Sequence, residues 1–461
     1  MKKLINKIDN FATSAFTNWQ VPGAAIGIVQ GGEIIHLKGY GQKGIDNPDP
    51  VTPECLFPVA SITKAMSAAA IALLVEDGHF NWHQKVVEIL PDFKMYDPWV
   101  TKEYTVIDLF CHRSGLGFDP MQQLPLWGYS AQTLKNFLCH VKPSTSFRTT
   151  YQYINILYLF VQDIIEKFSG ISFSDFMEQR LFKPLGMHAR IGFCKERASQ
   201  LVQGQVLDEE TFTKIRTVSF SCYPHVHMAA GGVVTSGADL CKWMQAQLGH
   251  IPFLRKSSIG FMWRPQTVIS SDEFYGLGWR ILTHKPQRII SHGGLIKGVR
   301  HLLYIVPQSD FGIFVLTNLT HSEVPLMICE FAADLLIGIK PREYASDARE
   351  KYLNSLKADL PPQILDISFE PSTYTGNYTN AILGTARIAC DDGQLKLYLG
   401  PKPAVALLQP IAPDRFRLFF TADSGADIAE GHWGTAVFKG NTLTIKAHQR
   451  FDGEEFIFCK T

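Results

Sequence analysis

The chain has 461 residues, of which 46% are hydrophobic and 12% aromatic, and its formal net charge at pH 7 is +1. Single domains seldom exceed about 250–300 residues, so we expect two domains, and the apolar content excludes a disordered protein. A charge so near zero gives no electrostatic basis for binding nucleic acid or an anionic membrane, because both require a basic excess. The expected partners are therefore a small-molecule or peptide substrate and, in a homo-oligomer, further copies of the chain.

The N-terminus and the cysteines bear on the cellular compartment. Two lysines follow Met1, as in a signal peptide, but polar residues at positions 6, 7, 9 and 10 interrupt the place of its apolar segment. No apolar stretch reaches the roughly 18 residues of a membrane span, so none is expected. The nine cysteines are scattered without CxxC pairs. This distribution favours reduced thiols and a cytoplasmic location, with export by a route lacking a cleaved signal left open.

In the first 340 residues the predicted elements are helices interleaved with strands. Apolar side chains at helical spacing predict a helix over residues 3–19, and two apolar runs joined at Gly31-Gly32 predict a hairpin. A run rich in alanine and leucine predicts a long helix over Ile62–Asp77. Further helices are predicted over 104–111, 131–140, 155–168 and 173–182, then strands in FYGLGWRIL, RIISH, HLLYIVP and FGIFVLTN, and a last apolar helix over Val324–Ile337.

The composition changes after residue 340. The segment 341–370 is charged and contains Pro361-Pro362, which predicts a polar helix followed by a stiff linker. Beyond it, strands alternate with turn residues, which predicts a small antiparallel barrel or sandwich over 371–461. The predicted strands are YTGNYTN, TARIACD, QLKLYLG, RFRLFFT, TAVFKG, TLTIKAH and EEFIFCK. Three parts are thus expected: an N-terminal domain over 1–340, a linker over 341–370, and a β-domain over 371–461.

The motif Ser61-Ile62-Thr63-Lys64 has a direct chemical interpretation. A serine hydroxyl becomes a good nucleophile when a neighbouring base takes its proton, and positions i and i+3 of a helix share one face. A serine in the first helical turn also meets free backbone N–H groups, which favour developing negative charge. An S-x-x-K tetrapeptide also arises by chance, and a capping serine with a lysine stem packed on apolar surface is the ordinary alternative.

Two later motifs can complete such a site. Tyr153-Ile154-Asn155 opens a predicted helix; a phenol beside a lysine can relay a proton, and the amide can orient the lysine or a substrate amide. His292-Gly293-Gly294 ends the predicted strand RIISH, where small residues let a substrate lie along the strand edge and the imidazole adds a donor. The ordinary alternatives are a helix start with a packed tyrosine and a turn after a core strand.

The order S-x-x-K, Y-x-N, H-x-G resembles the serine β-lactamase-like superfamily of class C β-lactamases, D-aminopeptidases and penicillin-binding-type carboxylesterases and peptidases. The segments PGAAIGIV, FPVASITKAM, VIDLFCHRSGLG, AAGGVVTSGADLCKW and YGLGW are also similar to blocks of that family, and the resemblance spans about residues 15–338. The C-terminal strands resemble the lipocalin-like domain of some peptidase members. The resemblance implies an α/β (α+β) fold, with an antiparallel sheet flanked by helices, a helical subdomain, and a small C-terminal antiparallel β-barrel.

The resemblance also implies roles for individual residues. Ser61 would be acylated, and the acyl-enzyme would be hydrolysed without a metal or an organic cofactor. The bond cleaved would be an ester, a small peptide bond (D-amino-acid peptides included) or a β-lactam amide. The other implied residues are Lys64 and Tyr153 as proton carriers, His292 at the position of a family lysine or histidine, and Asn155, Gly293, Gly294 and Leu295 as substrate contacts, with the N–H groups of Ser61 and Leu295 as the oxyanion hole.

His292 separates the possible substrates. An imidazole of ordinary pKa, about 6.5, is mostly neutral near pH 7, whereas a lysine there would bind a β-lactam carboxylate. We therefore expect a peptidase or an esterase rather than a true β-lactamase. A non-catalytic scaffold or assembly protein on the same fold is the alternative, and the presence of Ser61, Lys64 and Tyr153 together argues against it.

Overall fold

A computed structural model describes most of the chain. The described residues are 2–117, 124–193, 195–208, 212–218, 220, 226, 228–357, 362–401, 404–420, 431–447 and 455–461. Within these ranges, no helix is both long enough and apolar enough to cross a membrane.

An antiparallel sheet of nine strands is the centre of the N-terminal part. The strands of this part are β1 Gly23–Gln30, β2 Glu33–Gly44, β3 Asn47–Pro50, β4 Leu56–Pro58, β5 Arg190–Ile191, β6 Gly204–Leu207, β7 Ile215–Val218, β8 Val233–Ser236, β9 Thr267–Val268, β10 Glu273–Tyr275, β11 Arg280–Leu282, β12 Ile289–Ile296, β13 Val299–Val306 and β14 Phe311–Thr317. The order in the large sheet is β3-β2-β1-β14-β13-β12-β11-β10-β9. Strands β4, β8 and β5 form a small second sheet, and β6 pairs with β7.

Helices cover both faces of the large sheet. The described helices are α1 Lys2–Trp19, α2 Thr63–Glu76, α3 Val86–Ile89, α4 Pro98–Glu103, α5 Ala131–Phe137, α6 Tyr158–Ser169, α7 Phe173–Phe176, α8 Met228–Gly231, α9 Gly237–Gln247, α10 Lys256–Met262, α11 Val324–Ile337 and α12 Ala348–Lys357. On β1, Ile26 packs in one apolar cluster with α1 and α11, while Ala25 packs in a second cluster with α9. Because both faces of the central strands are covered, they are continuous apolar runs rather than alternating ones.

The C-terminal part is a closed antiparallel barrel of eight strands. These are β15 Gly376–Asn380, β16 Gly384–Asp391, β17 Gln394–Leu399, β18 Ala404–Ala412, β19 Arg415–Phe420, β20 Gly431–Lys439, β21 Thr442–Ala447 and β22 Glu455–Lys460. The fold predicted from the sequence is therefore confirmed: an antiparallel sheet with helices, followed by a β-barrel. Strand β18 was not predicted because it contains Pro410, where the pairing with β19 shifts register.

One end of the barrel packs against the N-terminal part. Leu383 lies before β16 and Gly400 follows β17, so both belong to hairpin turns at the same end. The Tyr129 hydroxyl donates a hydrogen bond to the Leu383 carbonyl at 2.5 Å. Trp127 is buried beside Phe456, and Gly400 has a φ of +91°, with a Cβ at that position falling 2.3 Å from the Trp127 carbonyl oxygen. Leu383 and Phe456 of this barrel end thus share one apolar cluster with Leu124, Trp127 and Tyr129.

Candidate active site

Ser61 lies in a single 3-10 turn, Ala60–Ile62, that leads directly into α2. The sequence placed it in the first turn of the α-helix, and the structure places it in this tighter turn just before. Ala60 has a φ of +49°, in the left-handed region, and its neighbour Val59 donates its amide to the Val233 carbonyl of β8 at 2.9 Å. Ala60 and Ile62 are buried while Ser61 is half-buried. The turn therefore fixes the backbone and leaves the serine side chain partly accessible.

Lys64 contacts Ser61 as the i, i+3 spacing predicted. Its Nζ donates to Ser61 Oγ at 3.0 Å and to the Ala230 carbonyl at 2.8 Å. The side chain is fully buried, and Nζ lies 4.9 Å from the Tyr153 ring centroid and 5.1 Å from that of Tyr158. The amino group is thus held between the serine, a carbonyl and two aromatic rings.

Close packing around α2 keeps this lysine in place. Ser67 donates to the Ala229 carbonyl at 2.7 Å, and Thr63 Oγ1 accepts the Val233 amide at 3.1 Å. On the other side, Gly278 has a φ of +72°, and a Cβ there would fall 2.5 Å from the Lys64 carbonyl oxygen. These contacts give a physical reason for the small residues in the segments AAGGVV and YGLGW.

Tyr153 lies near Lys64, and Asn155 follows two residues later, but the local structure of both differs from that expected. The sequence predicted that they open a helix, whereas α6 begins at Tyr158 and both residues precede it in an irregular segment. The Asn155 carbonyl accepts the Tyr158 amide at 2.9 Å, so the segment leads into the helix through a turn. Both side chains are half-buried. The structure therefore brings Tyr153 to Lys64 on a loop whose shape must be set by other contacts.

His292 lies within β12 rather than at a strand end, which corrects the sequence prediction. Its Nδ1–H donates to the Gly293 carbonyl at 2.6 Å, and the Tyr275 hydroxyl donates to its Nε2 at 2.8 Å. Burial, assisted by the nearby Lys64 charge, lowers the pKa of His292 to about 3. The imidazole is therefore neutral at physiological pH, and both of its nitrogens are engaged.

Gly293, Gly294 and Leu295 continue β12 past His292, beside the segment that carries Ser61. Strand β11 pairs with β12 at positions 289–291, so among the described residues the edge of β12 beyond that point has no strand partner on this side. A Cβ on Gly294 would fall 2.3 Å from the Val59 carbonyl oxygen, whereas one on Gly293 would meet its nearest atom, the His301 carbonyl oxygen, at 3.5 Å. The Leu295 side chain is 55% exposed. Gly294 therefore allows β12 to approach the nucleophile segment, and the unpaired edge is open to a ligand.

His112 is a site residue that sequence reasoning missed. Its ring centroid lies 4.2 Å from that of Tyr153, and its Nδ1 accepts the Ile154 amide at 3.1 Å. Burial and the Lys64 charge lower its pKa well below the ordinary value. Its position in the segment VIDLFCHRSGLG was the available signal. In the described part of the chain, the site of His112 included, no group of three or more His, Cys, Asp or Glu side chains is arranged to hold a metal ion.

Comparison with known proteins was made against sequence families, curated proteins and solved structures. The family model described as Beta-lactamase matches residues 8–335. "Unguisins hydrolase ungD'" from Aspergillus campestris is 26% identical over 431 residues, which cover 85% of this chain and 79% of that protein. "Unguisins hydrolase ungD" from Aspergillus violaceofuscus is 26% identical over 338 residues, and the chain spans 59% of the length of that protein.

Two solved structures share the fold. An octameric penicillin-binding protein homologue from Pyrococcus abyssi has a TM-score of 0.64 and 20% identity, and the match covers 99% of this chain and 100% of that one. A beta-lactamase/D-alanine carboxypeptidase from Pseudomonas syringae has a TM-score of 0.61 and 17% identity, with 73% of this chain and 99% of that one covered. The first match includes the barrel as well as the N-terminal part.

Proposed function

Because the family match spans residues 8–335, this chain belongs to the beta-lactamase family, and we propose that it is a serine hydrolase that works through an acyl-enzyme on Ser61. The observation that carries the proposal is the 3.0 Å hydrogen bond between Lys64 Nζ and Ser61 Oγ. A relative named as a hydrolase supports a hydrolytic reaction.

The geometry supports a sequence of proton transfers between Ser61 and its neighbours. A hydroxyl can rotate, so Ser61 can donate its proton to an unprotonated Lys64 amine while Oγ attacks the substrate carbonyl. The negative charge formed on the carbonyl oxygen would be stabilised by the backbone N–H groups of Ser61 and Leu295. The proton then passes from Lys64, through or beside the Tyr153 hydroxyl, to the leaving group. Water repeats the attack on the acyl-enzyme, with the same groups taking its proton.

We assign Asn155 to the substrate amide, and the unpaired edge of β12 at Gly293 and Gly294 to the substrate backbone. The neutral His292 supports an ester or a small peptide as substrate over a β-lactam. Both imidazole nitrogens are occupied by Tyr275 and Gly293, so this position offers no positive charge for a carboxylate next to the scissile bond. Esters and amides without a carboxylate at that point do not need this charge for binding.

The test is labelling with a serine-reactive fluorophosphonate, followed by turnover of a panel of chromogenic esters, D- and L-aminoacyl anilides and a cephalosporin. Ser61→Ala should abolish labelling, and Lys64→Ala should lower turnover by about 10³-fold or more, because a nucleophile and its base act as a unit. Ser355→Ala is the matched control, since Ser355 is exposed on α12 and bonds the Tyr352 carbonyl, away from the proposed chemistry. Labelling of Ser61→Ala at the wild-type rate would refute the nucleophile, and a wild-type protein that neither labels nor turns over any substrate would favour the scaffold alternative.

The domain organisation and the oligomeric state expected from the sequence are also proposals. We retain the three-part organisation, with a hydrolase domain over 1–340, a linker over 341–370 and a barrel domain over 371–461. We also retain a homo-oligomer, which the octameric Pyrococcus abyssi homologue supports by analogy. Size-exclusion chromatography with light scattering would measure the oligomeric state directly.

A further inference from the structure

The segment that carries Tyr153 and Asn155 has no helical or strand structure of its own between residues 150 and 157. Its conformation must therefore be set by bonds to another part of the chain. Two of its amides, together with the amide of Arg148 just before the segment, make such bonds, all to His112-Arg113. The Arg148 amide donates to the Arg113 carbonyl at 2.8 Å, the Gln152 amide to the His112 carbonyl at 2.8 Å, and the Ile154 amide to His112 Nδ1 at 3.1 Å.

The third of these bonds involves a side chain at the centre of the site. Ile154 stands between the two residues with proposed roles, so the direction of its N–H fixes the backbone that both share. The same imidazole lies against the Tyr153 ring at 4.2 Å between centroids and against the Tyr275 ring at 4.6 Å. His112 is fully buried and has a φ of +52°. Because it is neutral, its Nδ1 keeps the lone pair that accepts the Ile154 amide.

A buried carboxylate also links the two segments. Asp108 is fully buried and forms ion pairs with Arg113 at 2.7 Å and with Arg148 at 2.5 Å. Burial alone would raise its pKa, but hydrogen bonds and charge from Arg148 and Arg113 lower it, so the carboxylate stays ionised. His112 is adjacent to Arg113, so the ion pair of Arg113 with Asp108 helps to fix the backbone at His112.

We propose that His112 is a positioning residue that sets the orientation of Tyr153 and Asn155, through the Ile154 amide and through ring contact with Tyr153. The proposal rests on the proposed function, because it assigns His112 an effect only through Tyr153 and Asn155. It takes no proton from the substrate and contacts no reacting atom.

Three substitutions separate the two contacts of the imidazole. His112→Asn keeps an acceptor near Nδ1 and suits a positive φ, His112→Phe keeps a ring and loses the acceptor, and His112→Gly loses both without backbone strain. Loss of the acceptor should lower kcat by about 10- to 100-fold, since a misplacement of about 1 Å costs that much. KM should rise as well, by about 3- to 10-fold, because Asn155 is the proposed contact for the substrate amide. His112→Asn should bring both kcat and KM back to within about fivefold of wild type. Activity is measured well below the Tm of each variant, and His112→Gly replaces His112→Phe if the latter does not fold.

A double-mutant cycle with Tyr153→Phe supplies the decisive readout. If His112 acts through Tyr153, most of the effect of His112→Phe on kcat should disappear in the Tyr153→Phe background. The inference is overturned if His112→Phe has the wild-type kcat while Tyr153→Phe is slow, or if all three His112 variants lose kcat in parallel with Tm. A Tyr153→Phe enzyme with wild-type kcat would instead refute the proposed function of Tyr153, so the two failures are distinguishable.

Discussion

Replacing Gly294 by alanine should move β12 away from the segment that carries Val59 and Ser61, without removing any functional group. A Cβ at this position would stand 2.3 Å from the Val59 carbonyl oxygen, whereas ordinary contacts begin near 3.4 Å. Strand β12 and the nucleophile segment must therefore move apart by roughly 1 Å, and Val59 precedes Ser61 by only two residues. The proposed oxyanion donors, the N–H groups of Ser61 and Leu295, lie on the two sides of this contact. A displacement of about 1 Å between them should lower kcat/KM by about 10²-fold.

Gly260→Ala is the matched control for this experiment, because Gly260 is exposed on α10 and lies outside the proposed site. A methyl group added there would meet no atom within 4 Å, so no neighbouring group has to move. The assay compares the fluorophosphonate labelling rate and kcat/KM for an ester in the two variants, with Tm recorded for each. Gly294→Ala should also lower the free energy of unfolding by about 1–3 kcal/mol, as overpacking generally does. If Gly294→Ala labels within twofold of Gly260→Ala, the close approach of β12 does not set the acylation geometry, and this prediction is wrong.

Three further predictions concern pH, the barrel and the buried carboxylate. Burial lowers the pKa of His292 to about 3 and that of His301 to about 4, so the unfolded chain binds more protons between those values and pH 6.5. The free energy of unfolding should therefore fall as pH drops below about 6.5, by up to about 1.4 kcal/mol per pH unit for each group. Urea titrations at pH 7, 6 and 5 measure this, and an unchanged slope in His301→Phe would contradict it. Trp127→Ala should lower the free energy of unfolding by about 3–5 kcal/mol while Ser61 still labels, and a Tm equal to wild type would show that the barrel contact is not stabilising. Asp108→Asn should cost about 3–5 kcal/mol, because two arginines lose their buried partner; chemical denaturation showing a loss below 1 kcal/mol would refute that estimate.

Elements determined by local pattern were predicted well from the sequence. The apolar helix α11 was predicted at the bounds observed, Val324–Ile337, and the first hairpin turns at Gly31-Gly32 as expected. Both depend on periodicity and turn residues that lie next to one another in the chain. The contact between Ser61 and Lys64 is of the same kind, since one helical turn is enough to bring the two side chains together.

Features that depend on contacts distant in sequence were not predicted. The short strands β4, β5 and β8 exist because three separated segments meet, and FYGLGWRIL divides into β10 and β11 because Gly278 approaches the Lys64 backbone. The predicted helix at 104–111 is only a 3-10 turn, Val106–Leu109, because Asp108 turns inward to bond Thr105 and two arginines. The proposed role of His112 depends on a contact 42 residues away in sequence, so the segment VIDLFCHRSGLG could indicate the residue but not its partner.

The pairing of β1 with β14 has a consequence for how the chain is made. Gly23, at the start of β1, donates its amide to the side chain of Asn318, 295 positions later. At 5–20 residues per second, a ribosome needs roughly 15–60 s to synthesise the intervening chain. During that time the apolar β1–β2 hairpin leaves the ribosome with one edge unpaired, and such an edge can pair with another chain. We therefore expect this hairpin to be the segment of the nascent chain that most needs protection by a chaperone.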